Sequence, residues 1–222
     1  MTMSLSARTE QLLGEEAVAK LRAATVAVFG LGGVGSFAVE ALARAGIGTL
    51  RIVDHDTVQP SNLNRQLFAL ESTIGMYKVD VAAGRIRDIN SACVVEARRT
   101  FADRETVPGL LEPKPDVVID AIDAVGPKAG LICSAVQAGV FVVTAMGAAA
   151  RTDIESIRIA DISESYNCPL ARYIRKRLHR RGVYDGVRCV FSPEGARNKQ
   201  PVMPAALDSA PVLKRGRPRV PL

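Results

Sequence analysis

The stretch Thr25 to Ser36, TVAVFGLGGVGS, constrains this chain more than any other. A short, wholly apolar run such as Thr25 to Phe29 reads as a strand buried on both faces. Gly30, Gly32 and Gly35 follow at G-x-G-x-x-G spacing, and Ser36 to Ala45 (SFAVEALARA) reads as a helix. Strand, glycine turn and helix in that order open a parallel-sheet crossover. Small residues there let the backbone approach a phosphate, and the helix N-terminus favours its charge. Asp54, nineteen residues past Gly35, closes the next apolar run, Thr49 to Val53. A carboxylate at that place accepts hydrogen bonds from ribose hydroxyls. The glycines alone would fit a tight turn with close helix packing; together with Asp54 they point to a nucleotide.

The alternation continues. Helices are predicted over 8–22 (with Leu12, Leu13, Ala17 and Leu21 as its apolar positions), 78–89 and 128–138. Strands are predicted over 94–98, 117–119 and 141–144. Strands alternating with helices predict an α/β fold, a Rossmann-like, doubly wound and mainly parallel sheet spanning residues 1–150. A small C-terminal appendage, 151–195, adds strands near 157–160 and 187–191 and a basic helix over 169–181, in the same compact unit. The last segment, 196–222, reads as loop or disorder. A length of 222 residues, 48% apolar and only 5% aromatic, suits one such domain. No run reaches the roughly 18 apolar residues of a membrane span, and the N-terminus lacks the apolar core of a secretory signal, so the cytoplasm is the expected compartment. Cys93, Cys133, Cys168 and Cys189 form no CxxC pair, which argues against a two-knuckle zinc site.

The segment after Asp54 argues for a triphosphate over a dinucleotide. Ser61-Asn62-Leu63-Asn64-Arg65-Gln66 and then Lys78 bring two cations after the second strand. A triphosphate needs such cations more than a dinucleotide does. Arg65 offers a planar fork and Lys78 a point charge. Asp120 and Asp123 stand at or just past the strand 117–119. A carboxylate at that end of a parallel sheet can hold Mg²⁺ against substrate phosphates. Hydride chemistry with NAD is the alternative, but only His55 and His179 are present as the usual acid or base.

In this order GLGGVGS, DHD, SNLNRQ, Lys78 and DAID resemble the family of enzymes that activate ubiquitin-like and sulfur-carrier proteins. RTEQLLGEE, RIRDIN, ADISESYNCPLARYIRKRL and VFSPE narrow the resemblance to its tRNA threonylcarbamoyladenosine dehydratase branch. The resemblance implies a fold built around ATP and Mg²⁺. Gly30, Gly32, Gly33 and Gly35 would line the nucleotide and Asp54 the ribose. Asn62, Arg65 and Lys78 would bind the phosphates, Ser61 and Gln66 would belong to the same nucleotide site, and Asp123 would hold the metal. Arg8 would reach the ATP of the other subunit in a homodimer. The implied reaction adenylates the threonylcarbamoyl carboxylate of an adenosine beside a tRNA anticodon, then closes a ring within the same nucleoside. Two departures stand out: the paired CxxC of many carrier-protein activators is missing, and after VFSPE the apolar segment frequent in that branch gives way to an ending in LKRGRPRVPL.

The acceptor separates the two activities of that family. A carrier-protein activator often passes its acyl group to a cysteine, for which Cys168, before Pro169 at a helix start, is the candidate. The other reading of Cys168 is a small packed residue. A tRNA substrate calls for cations. The net charge is +6, and Arg172, Arg175, Lys176, His179 and Arg180 fall on one predicted helical face, with Lys214, Arg215, Arg217 and Arg219 as a second basic cluster. The residues leave open whether a sulfur-relay partner docks.

Overall fold

The computed structural model describes residues 5–195; the second basic cluster, Lys214 to Arg219, and the expected disorder of 196–222 lie outside them. Seven strands form one sheet in the order β3-β2-β1-β4-β5-β7-β6. Strands β1 (Thr25–Phe29), β2 (Thr49–Val53), β3 (Val94–Arg98), β4 (Val117–Asp120), β5 (Phe141–Ala145) and β7 (Val187–Phe191) run parallel. Only the edge strand β6 (Arg158–Asp161) is antiparallel, pairing with β7. The residues beyond 150 therefore continue the sheet.

Both faces are covered, which is why β1 is apolar throughout. Val26 and Val28 enter a core with helices α3 (Gly35–Ala45) and α4 (Lys78–Ile89). Ala27 and Phe29 enter the opposite core, beneath α5 (Val107–Leu110), α6 (Val125–Gln137) and α7 (Pro169–His179). Burying a side chain the size of Val or Phe contributes about 1.5–3 kcal/mol, and a one-residue register slip in β1 would exchange the two sets. Helix α3 stops at Gly46, whose φ of 86° lets the Ile47 N–H reach back to the Leu42 carbonyl.

Four local expectations change. The helix predicted over 8–22 is two, α1 (Ala7–Leu13) and α2 (Glu15–Ala23), because Gly14 takes φ 83° between them. Its positions Leu12 and Leu13 are exposed. Helix α6 begins three residues before Lys128, since Pro127 in a first turn has no amide to satisfy. Strand β6 is shifted one residue later than expected. The short α5 had no periodic signal. It is tied down by Arg51, fully buried in β2, which donates to the Leu110 and Pro113 carbonyls, both at 3.0 Å, and to Glu96 Oε2 at 2.6 Å. That guanidinium holds the Glu96 carboxyl below the usual carboxylate range.

Candidate active site

Strand order reverses beside β1: the chain runs outward through β2 and β3, then crosses back to β4 on the other side. Loops leaving the C-terminal ends of β1 and β4 diverge there and open a crevice. The loop after β1 carries the glycines, and the loop after β4 carries Asp123. The two touch. At Gly30, φ is 87° and a Cβ would stand 2.9 Å from the Ala121 carbonyl oxygen. A Cβ at Gly35 would overlap the Gly30 oxygen and meet the Ala121 side chain at 3.3 Å. Gly30 and Gly35 thus bring strand, helix and second loop together. Gly32 and Gly33 face the SNLNRQ turn instead, with Gln66 Nε2 at 3.8 Å and the Arg65 carbonyl at 3.4 Å from the Cβ positions.

Asp54 is buried and does more than the expected ribose contact requires. Its Oδ2 accepts the Leu31 N–H at 2.7 Å and its Oδ1 the Asp56 N–H at 2.8 Å. The carboxylate ties the glycine loop to the end of β2, and each oxygen keeps a further lone pair for a ligand hydroxyl. Asn62 is also buried. Its Oδ1 accepts the Gln59 N–H at 3.1 Å, and its carbonyl accepts the N–H groups of Arg65 and Gln66. This turn is anchored to α3 where Ser36 Oγ accepts the Leu67 N–H at 3.1 Å. Ser61 and Arg65 are exposed on its rim, and Arg65 Nη1 donates to the Ser61 carbonyl at 2.8 Å and to Asn64 Oδ1 at 2.9 Å.

Lys78 opens α4 and is only 5% exposed. Its Nζ lies 2.9 Å from Asp56 Oδ2, and Asp56 Oδ1 lies 3.2 Å from His55 Nε2. Asp54, His55 and Asp56 offer ligand atoms within 4.8 Å of one another. Those of Asp54 already accept main-chain amides, and those of Asp56 pair with Lys78 and His55.

Asp120 departs from expectation. It is wholly buried and paired with Lys128 Nζ at 2.8 Å, both side chains fully excluded from solvent. Thr144 Oγ1 donates to Asp120 Oδ2 at 2.6 Å, the Ile122 N–H to Oδ1 at 3.1 Å, and Lys128 Nζ to the Ile122 carbonyl at 2.9 Å. Asp120 is thereby removed as a metal ligand, while Asp123, three residues on, is exposed. The chemistry of that exposed carboxylate, on the loop that abuts the glycine turn, fits a hard cation.

Lys128, Thr144, Asp56 and Ser36 were not singled out from sequence. The only available signal for Lys128 is a lone cation in an otherwise apolar helix, VGPKAGLICSAV, soon after the D-x-x-D pattern. Arg8 sits on α1, exposed, donating to Gln11 Oε1 at 3.1 Å; among the described residues no hydrogen bond joins it to the crevice. Cys168 is buried at the start of α7, and Coulombic coupling to it adds to the burial that pushes the neighbouring Cys189 thiol up to about 12. The environment of Cys189 disfavours a nucleophilic thiolate, and Cys168 is packed away from solvent. On α7, Arg172, Lys176, His179 and Arg180 are exposed. Arg175 is a correction to the expected outward row, since its Nη1 turns inward to the Ser165 carbonyl at 2.6 Å and to Ser165 Oγ.

The arrangement concentrates main-chain amides, a buried lysine, a rim arginine and an exposed carboxylate at one crevice, which suits a nucleoside polyphosphate. Comparison with known proteins agrees with that geometry. The profile of the ThiF family matches residues 5–206. The chain belongs to the ThiF family. Among ThiF relatives, tRNA threonylcarbamoyladenosine dehydratase of Bacillus subtilis is 43% identical over 187 residues, 84% of this chain and 74% of that protein. The crystal structure of Escherichia coli tRNA N6-threonylcarbamoyladenosine dehydratase in complex with ATP superposes with a TM-score of 0.82 at 38% identity, covering 88% of this chain and 86% of that one. The same enzyme in complex with AMP gives 0.83 at 37% identity, covering 91% and 87%. Among the described residues of this ThiF protein, no helix is long and apolar enough to cross a membrane.

Proposed function

We propose that this protein is an ATP-dependent tRNA threonylcarbamoyladenosine dehydratase. The observation that carries the reading is the meeting of the glycine loop, the SNLNRQ turn and the Asp123 loop at the β1–β4 crevice. Likeness over most of the chain to dehydratases solved with ATP and with AMP supports it. A carboxylate resists nucleophiles because of its charge. Joined to AMP as a mixed anhydride, with pyrophosphate released, it gains a good leaving group. A nucleophile in the same modified nucleoside then attacks the activated carbon, AMP departs, and the net change is loss of water. Tethering the nucleophile supplies the entropic advantage that a protein thiol would otherwise have to provide.

In this reading the loop amides and Asp54 hold the nucleoside end, and Arg65 and Lys78 face the phosphates. Lys78 is suited to that task because its ammonium is already desolvated and aimed by Asp56. Asp123 would hold Mg²⁺, which supplies charge neutralisation on the departing pyrophosphate. The tRNA would lie along the outward cations of α7, and the site would be that of a cytoplasmic homodimer. The exposed Leu12 and Leu13 beside Arg8 favour such pairing. The buried Cys168 disfavours the second reading, a carrier-protein activator working through a thioester.

Incubation with ATP, Mg²⁺ and threonylcarbamoyl-bearing tRNA is expected to yield AMP, pyrophosphate and the cyclised nucleoside, read by mass spectrometry. ADP and phosphate would overturn the reading. Lys78→Ala is expected to slow turnover by roughly 10²–10³-fold, the usual loss for one charge-stabilising contact. Mixing Arg8→Ala with Asp123→Ala should restore activity through mixed dimers; failure after proven subunit exchange would remove the shared site.

A further inference from the structure

Helix α7 is anchored on one side and open on the other. Leu170, Ala171, Ile174 and Leu178 are buried, while Arg172, Tyr173, Lys176, Arg177, His179 and Arg180 are exposed. The open side carries rings as well as charge. In a chain that is only 5% aromatic, three of its four tyrosines fall between residues 166 and 184. Tyr173 is 46% exposed and Tyr184 62%. Each stands beside a basic side chain. The Arg172 guanidinium carbon lies 5.5 Å from the Tyr173 ring centre. The His179 ring lies 5.2 Å from that of Tyr184, tilted by 41°. Tyr173 also shares a helical face with Lys176, Arg177 and Arg180, at i+3, i+4 and i+7.

Cations alone would serve any phosphate backbone, paired or unpaired. Exposed rings add something a duplex cannot use, because its bases are already stacked on each other. Unpaired bases are free to splay out and stack on aromatic side chains. We infer that this face of α7, with Tyr184 at its end, is a platform for single-stranded RNA. Tyr173 and Tyr184 each take one unpaired base, and Arg172, Lys176, Arg177 and Arg180 take the intervening phosphates. Tyr173 and His179 are six residues apart, about 9 Å along the axis at 1.5 Å per residue. That exceeds one stacked step of about 3.4 Å, so the two rings receive bases that are splayed apart and not stacked on each other. The inference rests on the tRNA-substrate reading and deepens it: the part of the tRNA this face grips is a loop, and the anticodon loop is the unpaired segment next to the expected target nucleoside.

The test uses a synthetic anticodon stem–loop with 2-aminopurine in its loop, and a blunt RNA duplex of the stem sequence, titrated at several salt concentrations. Wild type, Tyr173→Ala/Tyr184→Ala, Tyr173→Phe/Tyr184→Phe and Arg172→Ala/Lys176→Ala are compared, each with a matching thermal melt. The tyrosine-to-alanine pair is expected to weaken stem–loop binding at least about fivefold per ring, the low end of base–aromatic stacking. Duplex affinity and salt slope should stay unchanged, and the 2-aminopurine quenching seen with wild type should be lost. The phenylalanine pair should bind as wild type. The cation pair should weaken both RNAs and flatten the salt slope. If the cation pair behaves so but the tyrosine-to-alanine pair binds the stem–loop as wild type does, stacking is overturned and the tRNA reading stands. If neither pair alters either RNA, α7 is not an RNA surface, and the platform falls while the adenylation assay still decides the reaction.

Discussion

Two regions of this molecule handle charge in opposite ways. At the C-terminal ends of β1, β2 and β4, Asp54, Lys78, Asp120 and Lys128 are buried and each is held by a named partner. On the outer face of α7, Arg172, Lys176, Arg177 and Arg180 are exposed, and the helix is fixed by its apolar back. Buried, paired charges are costly to desolvate and intolerant of change, but they aim donors at a fixed point. Exposed cations are screened by salt within about 8–10 Å and specify little geometry, yet they attract an extended anion. Substitution in the crevice should therefore alter folding and chemistry, and substitution on α7 should alter affinity and its salt dependence.

The largest expected effect breaks the crevice. Lys128→Met leaves Asp120 buried without its cation, and removal of one partner of a buried pair costs about 3–5 kcal/mol. Denaturant titration should show that loss. Asp120→Asn/Lys128→Met should recover part of it, because no unpaired charge then remains. A single variant as stable as wild type would mean that the pair is not buried as described. Next comes Gly35→Ala, whose Cβ would overlap the Gly30 carbonyl. Its expected cost is on the order of 3 kcal/mol, together with loss of ATP affinity by calorimetry. Gly84→Ala is the control: nothing lies within 4 Å of its Cβ in the middle of α4, so it should stabilise by roughly 0.5–1 kcal/mol. Equal behaviour of the two glycines would refute the close approach at Gly35.

The same contrast explains what was legible in the sequence. Strands β1, β2, β3 and β7 and helix α4 match the spans read from the sequence; β1 is legible because a strand covered on both faces is apolar, and α4 because a helix with one buried stripe must repeat it. The glycine loop and Asp54 were legible because their spacing reflects backbone geometry. What periodicity could not reveal were bonds between distant positions. Lys128 meets Asp120 across a loop, Ser36 accepts the Leu67 amide, and Arg51 binds carbonyls of the α5 segment far along the chain. Helical spacing misassigned Arg175 for the same reason, since i+3 places a residue on a flank without revealing a Ser165 carbonyl waiting there.

The smallest effects divide α7 itself. Arg172 and Arg175 are one turn apart and chemically identical, yet one faces solvent and the other is spent inside. Arg175→Ala removes the donor to the Ser165 carbonyl and hydroxyl, and Ser165 is only 4% exposed. A buried acceptor left unsatisfied costs about 1–3 kcal/mol, so this variant should melt earlier. Because Arg175 does not stand in the outward row, the slope of log affinity for tRNA against log salt should be that of wild type. Arg172→Ala should do the reverse. Its stability should stay within about 0.5 kcal/mol, as for most surface substitutions. Its salt slope should become shallower by about 0.7–0.9, the change for one phosphate contact. Melting curves and binding isotherms on the same two proteins separate the cases. If Arg175→Ala flattened the slope while its melt stayed unchanged, its guanidinium would belong to the outer surface and the division of α7 into a structural flank and an RNA face would fail.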